Sequence, residues 1–161
     1  MHPETRRQAQ RLMLGVLAGF AMIATADEPS AGYCEVAMEF SINGKTIAAP
    51  TAIVEFGKEA EVTIGNPDEH AWQFRIVADE PTVVRRANVI PGSVELYEIG
   101  EGKPYLRSSP HFNAVPGQRA DIDTIFADGD GRRAHIALVA NPRSGAEVEA
   151  LRNAAGDAEM Q

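Results

Sequence analysis

Residues 35–42 read EVAMEFSI, Asn43-Gly44 follows, and Lys45 to Ala49 completes the stretch. Val36, Met38, Phe40 and Ile42 fall on one side of a period of two, and Glu35, Ala37, Glu39 and Ser41 on the other. Side chains two residues apart share one face of a strand, so this alternation predicts a half-buried β-strand. Asn-Gly tolerates the positive φ required at both centres of a type I′ turn, the strongest short hairpin signal. Lys45–Ala49 is then the return strand.

Outward from this hairpin the same grammar recurs. Thr51–Phe56 is another apolar run, and Gly57-Lys58 turns the chain into Glu59–Ile64, where Ala60, Val62 and Ile64 alternate with charged residues and Thr63. After the loop Gly65-Asn66-Pro67-Asp68, Trp72, Phe74 and Ile76 alternate with Gln73 and Arg75, placing the single tryptophan on an inner face. Val83–Ile90 and Val94–Ile99 follow, separated by Pro91-Gly92, then Tyr105-Leu106, His111–Val115 and Arg119–Phe126. Asp128-Gly129-Asp130-Gly131 predicts a tight turn into Ala134–Ala140. Roughly ten short strands with a turn every 8–12 residues predict an all-β fold, an antiparallel sandwich or barrel, of which the β-sandwich is the expectation. At the C-terminus, Ser144 and Glu147 stand at capping-box spacing, and Val148, Leu151 and Ala155 fall at helical intervals before Gly156. They predict a short helix of about ten residues and a frayed tail.

Two segments align at an offset of 60 residues. Pro50 precedes Gly57 by seven positions, with Ala60, Val62 and Ile64 following; Pro110 precedes Gly117 by seven, with Ala120, Ile122 and Thr124 following. Phe74–Ala78 answers Ile136–Ala140. Proline is harmless on an edge strand, where its missing N–H is not needed. The alignment predicts two related β units packed face to face. The run from Pro50 to Gly65, PTAIVEFGKEAEVTIG, resembles a segment of secretin-type β domains and of small exported β proteins of Gram-negative bacteria. That resemblance implies a β domain and a cell-envelope context, and no functional residues.

The first 26 residues differ in kind. Arg6, Arg7 and Arg11 precede an uncharged run, Leu12–Ala26, of about 15 residues, ending in Ala24-Thr25-Ala26. A basic n-region, an apolar core below the roughly 20 residues of a bilayer-spanning helix and an A-x-A end predict a cleaved signal peptide. The expected organisation is a signal at 1–26, a β-sandwich at 27–143, and a helix with tail at 144–161. The expected compartment is the periplasm.

The whole chain has 15 basic and 23 acidic side chains, a net charge of −8; the predicted signal removes three arginines and one glutamate, leaving −10. Such acidity argues against nucleic acid, whose binding needs a concentrated basic face. One cysteine excludes an intrachain disulfide. Cys34 reads as a buried small apolar residue or, in an oxidising compartment, as an intermolecular disulfide.

Chemical grammar is sparse. His70, His111 and His135 have no metal-ligand spacing, and Asp128-Gly129-Asp130-Gly131 is followed by Arg132 and Arg133, whose charge opposes a cation. Asp121 and Asp123 share a strand face. Ser108-Ser109 lie outside any nucleophile elbow. No cofactor, metal or catalytic residue is assigned. Arg85-Arg86 stand within Val83–Ile90, where consecutive residues point to opposite faces, so they mark an edge strand or bulge, or an anion-binding or partner-docking edge. Trp72, Phe74 and Tyr97 are the candidates for an apolar pocket between the sheets. The expected function is a non-enzymatic periplasmic protein that binds an envelope or secreted protein. The alternatives are a small hydrolase with a histidine-carboxylate site, and a carrier or inhibitor holding a small ligand near that pocket.

Overall fold

Alternation of buried and exposed residues carries the predicted strands into two packed sheets. The computed structural model describes residues 20–22, 32–126 and 131–158; the rest of the predicted signal, the Asp128-Gly129-Asp130 turn and residues 159–161 lie outside them. The strands in chain order are β1 (Phe20–Met22), β2 (Tyr33–Ile42), β3 (Lys45–Ala48), β4 (Thr51–Glu55), β5 (Glu59–Asn66) and β6 (His70–Ala78). They continue as β7 (Thr82–Val84), β8 (Ala87–Gly100), β9 (Lys103–Ser108), β10 (His111–Ala114), β11 (Arg119–Ile125) and β12 (Arg133–Arg143), followed by helix α1 (Gly145–Ala158).

One sheet runs β1-β4-β2-β12-β11, with β3 also on β2; the other runs β10-β8-β6-β5, with β7 and β9 also on β8. All pairings are antiparallel except that of β1, whose backbone lies parallel to β4 with Phe20 opposite Thr51. The protein is an all-β sandwich. None of its described helices is long and apolar enough to cross a membrane.

The segments aligned in sequence make matching backbone contacts. Met38 N–H donates to the Pro50 carbonyl at 2.8 Å, and Val94 N–H to that of Pro110 at 3.0 Å. Gly57 N–H donates to Ala78 at 2.8 Å, and Gly117 N–H to Ala140 at 3.0 Å. Both glycines sit at positive φ, 75° and 74°. In each case a proline interrupts an edge strand, a glycine turns the chain across to the opposite sheet, and a new hairpin begins there. The two units therefore do not form one sheet each, as face-to-face packing of units predicts. Each gives a hairpin to both sheets, and the units join through the β2–β12 and β6–β8 ladders.

Phe40 of β2 sits between the sheets, its ring 5.2 Å from both Trp72 and Phe74 in edge-on geometry. Trp72 also packs on Phe126 at 5.8 Å. Around these rings, Val36, Ile76, Ile90, Val94, Leu96, Ile136 and Leu138 are buried. Each such side chain contributes about 1.5–3 kcal/mol on leaving water.

Pro91-Gly92, expected as a break, lies inside the 14-residue strand β8. Phe112 pairs directly with Gly92, and a Cβ there would stand 2.3 Å from its ring. The glycine makes room for the aromatic side chain rather than for a turn. At the C-terminus the capping box forms: Ser144 N–H donates to Glu147 Oε2 at 2.7 Å, and Glu147 N–H to Ser144 Oγ at 3.3 Å. Val148 is buried, and the helix continues past Gly156 to 14 residues.

Candidate functional site

Arg85 and Arg86 are not strand residues. They are the two centres of the tight turn joining β7 to β8, with φ of 49° and 71°, where the sequence predicts one unbroken strand. Positive φ at both centres defines a type I′ hairpin. The β2–β3 hairpin meets that demand with Asn43-Gly44 and the β8–β9 hairpin with Glu101-Gly102, glycine taking the second position each time. Here the second position is arginine, and a non-glycine residue in this region costs about 1–2 kcal/mol. Sequence reasoning missed the turn because arginine is not a residue expected there; Val84-Arg-Arg-Ala87 carries no turn composition.

The turn is the tip of an arm. Every residue from Asp79 to Asn88 is exposed, and burial begins only at Val89. Thr82 pairs with Val89, Val83 with Asn88 and Val84 with Ala87, so the arm is a two-stranded ribbon running beyond the sandwich. Val83 is 67% and Val84 47% exposed, and as neighbours on a strand they present apolar surface on opposite faces of the ribbon. The side chains of Arg85 and Arg86 form no ion pair or hydrogen bond among the described residues. Asp79 and Glu80 mark its acidic base, where Asp79 N–H anchors to the Pro91 carbonyl at 2.8 Å.

A second charged group lies at the opposite end of β8. Glu98 pairs across from Trp72 and so shares its inward face, where it accepts from Arg107 Nε at 2.7 Å and from both terminal nitrogens of Arg132 at 3.1 and 2.9 Å. His70 Nε2 lies 3.1 Å away. The Arg132 guanidinium, joined by His70 and Arg107, holds the Glu98 carboxyl down at about 2 despite its partial burial. Arg132 also lies 4.8 Å over the Phe126 ring. This ionic lid closes the end of the aromatic core.

The histidines do not converge. His70 belongs to that lid, and His111 is exposed on β10. His135 lies on the outer face of its sheet between Asp123, 2.9 Å from Nδ1, and Asp121, 3.2 Å from Nε2. Among the described residues no three His, Cys, Asp or Glu side chains are grouped to hold a metal.

Nor do the three pocket candidates come together. Trp72 and Phe74 face inward onto Phe40, whereas Tyr97 pairs across from Gln73 and faces outward. There the Tyr97 hydroxyl donates to Glu95 at 2.9 Å, and Arg75 lies 4.7 Å over the ring. An odd-numbered residue on β8 cannot share the even-numbered inner face.

Cys34 is fully buried, and burial raises its thiol to about 11. An intermolecular disulfide has no access to it. Compared with protein families, curated proteins and solved structures, the chain finds a match in none of the three.

Proposed function

We propose that this protein is an exported, periplasmic, non-enzymatic binding protein of the cell envelope, and that the β7–β8 arm is its docking element. The observation that carries this reading is the arm's tip. Two arginines occupy left-handed backbone and two valines stand in water, and no ion pair or hydrogen bond of either arginine's side chain among the described residues offsets the strain. Strained, exposed groups of this kind persist where function holds them. A ribbon with open edges is suited to β-augmentation, in which main-chain hydrogen bonds supply affinity and side chains supply selectivity.

The basic n-region and Ala24-Thr25-Ala26 support export, and the Pro50–Gly65 resemblance supports an envelope setting. The non-enzymatic reading is supported by the separation of reactive groups. Cys34 lies in the core, His70 at the lid and His135 on an outer face.

A photo-cross-linking residue placed at Val84 in the exported protein tests the reading. Discrete adducts at Val84, with none at Ile47 of β3, which is also exposed, are expected. Equal labelling at both sites, or none at Val84, would overturn it.

A further inference from the structure

We propose that the arm pairs with the arm of a second copy of this chain, β7 against β7 in antiparallel register centred on Val83. This inference rests on the reading of the arm as a docking element and names its partner.

The backbone supplies the first argument. A two-residue turn closes on a hydrogen-bonded pair, here Val84 and Ala87, so the next pair, Val83 and Asn88, directs its N–H and C=O groups away from the ribbon. Among the described residues no strand lies on that side of β7, because β5 ends opposite Val77. Val83 thus offers an unmet N–H and C=O beside an exposed apolar side chain. A two-fold axis through an antiparallel pair must pass between identical residues, and Val83 opposite Val83 of the second copy forms two reciprocal hydrogen bonds.

Charge supplies the second. Residues 79–86 read DEPTVVRR, acidic at one end and basic at the other. Reversed against itself in this register, β7 sets Thr82 opposite Val84 of the second copy, and the tip with Arg85 and Arg86 comes to lie beside the acidic base, Asp79 and Glu80, of the other arm. Pro81, lacking an N–H, ends the new ladder beyond Thr82. The same strand pairing thus sets a side chain of the second copy beside each valine and brings the basic tip of each arm to the acidic base of the other. A second chain of net charge −8 with a neutral edge would offer the arginines no such partners.

Two ribbons form a small interface, of the size class that associates transiently, so pairing depends on concentration and weakens with salt.

Sedimentation of the exported protein over a concentration series, with single and paired charge reversals, is the test. Glu80→Arg or Arg86→Glu alone is expected to weaken self-association by at least about tenfold, equivalent to about 1.4 kcal/mol. Glu80→Arg with Arg86→Glu is expected to restore it. Val83→Cys is expected to form a symmetric disulfide on mild oxidation, since a hydrogen-bonded pair spaces its Cα atoms about 5.5 Å apart and a disulfide spans roughly 4.4–6.8 Å. Ile47→Cys is expected not to. A monomer at every concentration, or a double reversal as weak as either single one, overturns self-pairing. If Val84 nevertheless cross-links to a different protein, the docking reading stands and only this inference falls; if Val84 cross-links to nothing, both fall.

Discussion

Phe112 lays its ring across Gly92, the residue directly opposite it on β8, and closes that part of the core with a side chain from the edge strand. A Cβ on Gly92 would stand 2.3 Å from the ring and 2.4 Å from the Val77 carbonyl, so neither ring nor backbone can yield cheaply. Gly92→Ala is expected to destabilise the fold by about 2–3 kcal/mol through overpacking. Gly100→Ala, eight residues on with nothing within 4 Å, is expected to stay within about 0.5 kcal/mol or to stabilise slightly. Urea unfolding of the two variants checks the contrast, and equal losses would contradict it.

The ionic lid makes stability depend on acid. Glu98 is held below its ordinary value of 4.5, at about 2, so its stabilisation is complete above 4.5 and is lost as pH falls through about 2. Its side chain is 14% exposed, and the shift corresponds to something on the order of 3 kcal/mol. Glu98→Gln is expected to lose about 2–3 kcal/mol at neutral pH, because it leaves Arg107 and Arg132 without their shared carboxylate. The variant is also expected to show a shallower decline in stability between pH 4.5 and 2. Melting temperature against pH for both proteins measures this, and parallel acid limbs would count against it.

Burial predicts that Cys34 is chemically silent in the folded state. A thiol raised to about 11 and fully enclosed is almost entirely protonated at neutral pH. Alkylation by iodoacetamide at pH 7.5 is expected only in denaturant, at a rate that follows unfolding. Rapid labelling of native protein would contradict the packing of β2.

The parts of this molecule set by local rules are legible in its sequence. Asn43-Gly44 specifies its turn by backbone freedom, the period of two assigns Val36, Met38 and Phe40 to the core, and Ser144 with Glu147 caps the helix. What sequence hides depends on partners far along the chain. Gly92 reads as a break until Phe112 is brought opposite it. Nothing within the run Val94–Ile99 marks Glu98 until Arg132, 34 positions later, reaches it. Tyr97 reads as core until the register of β8 with Leu96 inward turns it outward. Arg85 and Arg86 were legible as an anomaly of pattern, but not as a turn, because their conformation runs against their own preference.

That conflict supplies the most direct test of the arm as a docking element. Replacing Arg85-Arg86 by Asn-Gly keeps the type I′ turn and relieves its strain while removing both guanidiniums. Urea unfolding and cross-linking from Val84, performed on the same double variant, separate structure from binding. The expected result is a gain in stability of about 1 kcal/mol together with loss of the Val84 adducts. Unchanged adducts, or a fold that loses stability when the arginines are removed, would contradict the assignment.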